Sequence, residues 1–205
     1  MTIKFIDAVK YHQDLPYQND AWNFLQTSVS KEILDEFARK YRNQKVESTP
    51  QSKIPQCGVD LIKEFEGCHL NSYPDPLTGG LPITIGWGST RDFNGDYFKL
   101  GRKITQEYAD KLLAFDLEQR FLPSLERIPH WNEMNGNQQG SLLSFAYNLG
   151  ARFYGSSNFN TITRVLKNKE WDKVPNALYL YRNPGTNVEK GLARRRIAEG
   201  NLWKK

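Results

Sequence analysis

Residues 62–90 read IKEFEGCHLNSYPDPLTGGLPITIGWGST. Two acids, Glu64 and Glu66, close an apolar-periodic run, and Gly67 follows. Residues 58–66 suit a short helix. On a wheel at ~100° per residue, Leu61, Phe65 and Ile62 share one side, and Glu66 falls between Ile62 and Val59. Glu64 falls beside Asp60 on the polar side. Gly67 is a natural terminator. The expectation is a helix with Glu64 solvated and Glu66 half sunk at its C-terminal end. The negative end of the helix dipole disfavours an anion there, and partial burial disfavours it further. Both favour a protonated Glu66, the form that a general acid requires. A lone Glu at a helix end is more often a bystander, so the surroundings have to decide.

Downstream, residues 72–90 mix turn formers with ITIGW and read as a short, irregular β-sheet. Asp75, between Pro74 and Pro76, is a carboxylate in a wet turn. Two carboxyls in contrasting environments are the usual apparatus for glycosidic cleavage, although Asp75 alone reads as a turn former. Thr84 opens the strand. Its hydroxyl could hold a water, yet threonine is commonplace in strands.

The chain of 205 residues, 39% hydrophobic and 25% charged, has room for one core plus a small appendage. No apolar run approaches the ~18 residues of a membrane span. MTIKFIDAVKYHQD lacks the apolar stretch of a secretory signal. The expectation is synthesis in the cytoplasm without a signal peptide, with release by other means if the protein works outside. Cys57 and Cys68 would lie ~16 Å apart along a helix, too far for a disulfide. The three histidines are scattered, and no phosphate-cradling glycine loop occurs, so no metal and no cofactor is expected. Net charge is +5. The last twenty residues hold six Lys/Arg against two Glu. That end reads either as a surface for a polyanion or as a helix end suited to its dipole.

Residues 1–42 read as a small helical unit. Asp20 caps one helix, and Ser30 caps another carrying Ile33, Leu34, Phe37, Ala38 and Tyr41 on one face. Residues 43–56, with two prolines, read as a linker, and 57–205 as the main domain. There, Thr105 caps a helix to about Arg120. QQGSLLSFAYNLG is a buried helix closed by Gly150. NFNTITRVLKNKEW and GLARRRIAEGNLW supply two more. A small sheet among many helices is an α+β architecture.

Glu66-Gly67, Leu70, Tyr73, Asp75 and T-I-G-W-G at 84–88 resemble the phage-type lysozymes, the muramidase family of tailed-phage endolysins. SLLSFAYNLG, NTITRVLKNKEW and GLARRRIAEGNLW extend the resemblance over roughly 57–203. It implies a lysozyme-like fold and cleavage of the β-1,4 bond between N-acetylmuramic acid and N-acetylglucosamine in peptidoglycan. Glu66 would act as general acid on the leaving oxygen. Asp75 would orient water or stabilise the oxocarbenium-like transition state, and Thr84 would help to hold that water. Asn148 matches a polar cleft position, and one of Arg194, Arg195 and Arg196 would approach Glu66. Tyr73, Trp87 and Tyr147 would either stack on sugars or belong to the core. The expected partner is the peptidoglycan glycan strand, met by a monomer after release through a membrane pore, with no nucleic acid and no stable membrane association.

Two departures stand out. The family spaces its Asp and Thr six apart; here the spacing is nine, with LTGGLP between, and the extra residues are expected in a hairpin tip. The family also tends to place His after T-I-G-x-G. Ser89 stands there instead, which implies a missing hydrogen bond or ion pair. A lytic transglycosylase and a non-catalytic wall- or nucleic-acid-binding protein are the alternatives. Both would leave Asp75 and Thr84 without a role.

Overall fold

The computed structural model describes residues 53–75 and 78–205, together with Ser30, Glu32 and Ile33. The chain divides into Met1–Gln51 and Ser52–Lys205. Glu32 and Ile33 are helical and Ser30 just before them is not; the rest of the expected N-terminal unit lies outside the described residues.

Folded structure begins ahead of the expected boundary at Cys57. Ile54 is buried in the core, Pro55 occupies the N-cap position, and α1 runs Gln56–Glu66. Pro55, which reads as part of a linker, instead sets the entry to this helix. Gly67 ends it with φ 68°, a backbone state that favours glycine.

An antiparallel hairpin follows, β1 (His69–Tyr73) against β2 (Thr84–Gly86). Its register pairs His69 with Gly86 and Tyr73 with Thr84, so β1 carries an irregularity between them. β1 begins three residues before the expected sheet, because the exposed His69, Leu70 and Asn71 give no alternation to read. At the tip, the Asp75 N–H donates to Gly80 O (3.0 Å) and the Gly79 N–H to Asp75 O (2.7 Å). The added residues thus close a turn of their own on Asp75.

Helix α2 (Gln106–Asp116) starts as expected, with the Thr105 side chain accepting the Tyr108 N–H. It passes into a π-helical turn, Leu117–Phe121, and then α3 (Leu122–Leu125). Leu112 packs with Ile83, Ile85 and Phe98 under the hairpin, whereas its neighbour Leu113 belongs to the larger helical core. One helix therefore serves both lobes.

Helix α4 (Gly136–Leu149) has the buried middle and Gly150 C-cap read from its sequence. Asn135 and Gln138 add a reciprocal capping box. Next come α5 (Asn160–Lys167), α6 (Val174–Tyr179) and α7 (Glu189–Trp203). The four-residue α3 and six-residue α6 escape sequence reading. Each is too short to show a period and carries proline in its first turn. α1 crosses α4 backbone to backbone. A Cβ on Gly58 would lie 2.7 Å from Gly140 Cα, and one on Gly140 would lie 2.9 Å from Gly58 N. That crossing seats α1, and hence Glu66, against the buried helix.

Candidate active site

Glu66 is half-buried and Glu64 exposed, as the wheel angles require. The helix end that would disfavour a lone carboxylate is offset by a cation from the far end of the chain. Arg195 Nη1 donates to Glu66 Oε1 at 2.5 Å. Of the three candidate arginines, Arg194 is exposed, while Arg195 and Arg196 are buried. α7 phases them so that Arg195 faces Glu66 and Arg196 faces the core. Arg195 Nη2 donates to Ser144 O at 3.1 Å, and its Nε to Glu199 Oε1 at 3.3 Å. Two of the six basic residues that suggested a polyanion surface are therefore internal.

The cleft beside Glu66 has a volume of about 370 Å³ and is lined by Gly88, Ser89, Asp116, Arg120, Phe121 and Tyr147, among others. Gly88 has φ 113°, and a Cβ there would meet the Tyr147 hydroxyl at 3.5 Å and Glu66 Oε2 at 3.8 Å. Its lack of a side chain keeps the mouth open over the carboxyl.

Ser89 corrects an expectation. No supporting bond is missing: its Oγ donates to Asp116 Oδ2 at 2.6 Å in a buried site. Arg120, on the π-helical turn, pairs with Asp116 Oδ1 at 2.7 Å and donates to Asp92 O at 2.5 Å. A hydroxyl and an arginine from the π-helical turn together partner this carboxyl. Burial pushes the Asp116 carboxyl above its ordinary value, against the pull of Ser89 and Arg120. Part of this triad has a local signal, since Asp116 and Arg120 stand at i, i+4, but nothing in the chain order ties them to Ser89.

Among the residues singled out from sequence, Glu66 and Tyr147 line the cleft. The Tyr147 hydroxyl donates to Trp87 O at 3.0 Å, and its ring lies 5.0 Å from that of Phe121. Burial, then the negative charges of Asp116 and Glu66, push this phenol far above its ordinary value. Burial, then the negative charge of Glu66, raises the Tyr73 phenol above its ordinary value. Its Cα partner across the sheet is Thr84. Asp75 lies two residues beyond Tyr73, at the hairpin tip, where the Thr78 hydroxyl donates to its Oδ2 at 3.3 Å. Trp87 is a strut: its indole N–H donates to Asp110 Oδ1 at 2.8 Å, and Lys63 Nζ sits 5.0 Å over its ring. Asn148 is half-buried, and its Oδ1 is buried with no hydrogen-bond partner among the described residues. Tyr73, Asp75, Thr84, Trp87 and Asn148 are not among the residues lining this cleft.

The phage lysozyme family model matches residues 63–199. The chain belongs to the phage lysozyme family. That match runs from one turn before Glu66 to the glutamate behind Arg195. The endolysin of Salmonella phage P22 is 32% identical over 146 residues, covering 70% of this chain and 93% of that protein. The endolysin of Lactococcus phage c2 is 34% identical over 158 residues, 75% of this chain. The matched region spans only 61% of that relative's length. Among solved structures, the muramidase domain of SpmX from Asticaccaulis excentricus aligns with a TM-score of 0.56 at 30% identity, covering 76% of this chain and 99% of that one. The fold is lysozyme-like α+β, as the resemblance implied.

Proposed function

We propose that this phage lysozyme family member is a muramidase. It would hydrolyse the β-1,4 bond between N-acetylmuramic acid and N-acetylglucosamine, and so lyse the bacterial wall. The observation that carries this reading is Glu66, a half-buried carboxyl held by the buried Arg195 in the lining of a cleft. A carboxyl fixed and partly desolvated beside a substrate-sized opening suits general acid work on the leaving oxygen. Asp75 would orient water or stabilise the oxocarbenium-like transition state. Thr84 would help to hold that water. The hairpin supports this pairing, because Tyr73 lies opposite Thr84 and two residues before Asp75. Tyr147 would offer a ring face to the sugars, with Asn148 the polar position next to it in α4. Tyr73 would contact them from β1, and Trp87 would shape the cleft rather than stack. The partner would be the glycan strand, reached after release through a membrane pore, with the protein acting as a monomer. Among the described residues no helix is long and apolar enough to cross a membrane. Residues 57–205 would form the catalytic domain and 1–42 a docking or wall-targeting appendage.

The test is loss of turbidity of purified cell walls, with mass spectrometry of the products. Glu66→Gln and Asp75→Asn should each abolish lysis while the fold survives, and wild-type products should carry reducing, hydrolysed ends. Wild-type-like lysis by Glu66→Gln would sink the reading, and anhydro-muramic ends would convert it to a transglycosylase.

A further inference from the structure

Behind Glu66 the charges continue inward. Arg195 links Glu66 to Glu199, and Glu199 links Arg195 to Arg196. Glu199 and Arg196 have no solvent exposure, and Arg195 has 4%. Glu199 Oε1 accepts from Ser144 Oγ at 2.8 Å, from Arg196 Nη2 at 2.8 Å and from Arg195 Nε at 3.3 Å. Its Oε2 lies 2.7 Å from Arg196 Nε. Burial pushes this carboxyl above its ordinary value, but two guanidiniums and a hydroxyl around it suit its ionised form. Among the described residues, groups from several elements face this cluster. α4 presents Ser141, Ser144 and Tyr147, β1 presents Tyr73, and α1 presents Glu66 and the Phe65 ring, 5.6 Å from the Arg195 guanidinium. On the side of α6, Tyr181 O accepts from Arg196 at 3.4 Å, and Tyr179 shares a surface recess with Arg196.

The charges balance only in one protonation state. With Glu66 ionised, two guanidiniums meet two carboxylates. With Glu66 protonated, as a general acid must be, one positive charge is left over in a buried site. Without Glu199 the excess would be two. We propose that Glu199 is a positioning residue for Glu66. It fixes Arg195 through Nε and cancels one guanidinium charge, so that Glu66 can hold a proton beside two buried cations. The inference rests on the muramidase reading and adds to it a residue that never touches substrate.

The experiment is the pH dependence of kcat/KM on purified walls, read on the descending limb where Glu66 loses its proton. Glu199→Gln should move that limb to lower pH by about one unit, costing roughly tenfold in rate on the alkaline side while the acid-side rate persists. Arg196→Gln should move it to higher pH. The double variant, which restores the charge balance, should bring it back toward the wild type. Circular dichroism and urea unfolding confirm that each variant is folded. If Glu199→Gln does not fold, the opposite sign for Arg196→Gln and the position of the double variant still decide. In the wild type, the limb should stay fixed between ~0.02 and ~0.5 M NaCl, because buried pairs escape screening. A folded Glu199→Gln with an unmoved limb overturns the inference. So does an Arg196→Gln shift to lower pH, or a wild-type limb that travels with salt. An active Glu66→Gln instead sinks the muramidase reading itself; an inactive Glu66→Gln beside an immobile Glu199→Gln limb sinks only the role of Glu199.

Discussion

Gly58→Ala sets helix propensity against packing, and the two predict opposite signs. In a helix, Gly→Ala gains roughly 0.5–1 kcal/mol from reduced chain entropy. At Gly58 the new methyl would stand 2.7 Å from Gly140 Cα and 2.9 Å from Gly140 O. Both are backbone atoms of a buried helix, so no side chain can swing aside. Overpacking of this kind costs about 1–3 kcal/mol, which leaves a net loss of up to about 2.5 kcal/mol. For a folded unit of ~150 residues that lowers Tm by up to roughly 10 °C. Opening the crossing also lifts α1 from α4 and carries Glu66 with it, so wall lysis should fall further than stability alone explains. Gly191→Ala is the matched control. Gly191 lies in the first turn of α7, where an added Cβ would meet nothing within 4 Å, and the change there should stabilise by roughly 0.5–1 kcal/mol. Thermal and urea unfolding of the two variants side by side decide the matter. If Gly58→Ala raises Tm as Gly191→Ala does, the close crossing of α1 and α4 is not what seats Glu66.

Three further outcomes are expected. Arg195→Met leaves Glu66 without its cation and Glu199 with Arg196 alone, and should lose about 3–5 kcal/mol; a urea midpoint that barely moves would contradict the buried network. Ser89→Ala strips a buried carboxylate oxygen of its hydroxyl donor and should lose about 1–3 kcal/mol by the same assay, whereas a neutral result would mean that Arg120 alone suffices for Asp116. Because burial raises the Asp116 carboxyl, the stability it contributes is full below the ordinary carboxylate range near pH ~4 and falls as pH rises through the folded value. The difference in unfolding free energy between wild type and Asp116→Asn should therefore shrink from about pH 3 to pH 7, and a difference that grows would reverse the sign of that coupling.

Much of the fold is written locally. Thr105 announces α2, Gly67 and Gly150 close α1 and α4, and the 3.6-residue period assigns Glu64 to water and Glu66 to the interface. Each signal acts within about two helical turns, the range over which caps, dipoles and periodicity operate. α3 and α6 are not legible, because four and six residues show no period. The turn of LTGGLP is legible as an insertion, but not the backbone bonds by which it closes on Asp75.

Local sequence is enough to say where Glu66 stands on its helix and that its helix end disfavours a charge. The family resemblance adds three arginines as candidates to approach Glu66 without choosing among them. Tertiary packing makes that choice, because Arg195 is 129 residues from Glu66 and only the phase of α7 against α1 and α4 selects which guanidinium arrives. The same holds for Ser89 and Asp116, 27 residues apart, and for the Gly58–Gly140 crossing. Local chemistry fixes which faces and ends a helix has; contacts between distant residues depend on how those faces pack, and packing is a property of the whole core.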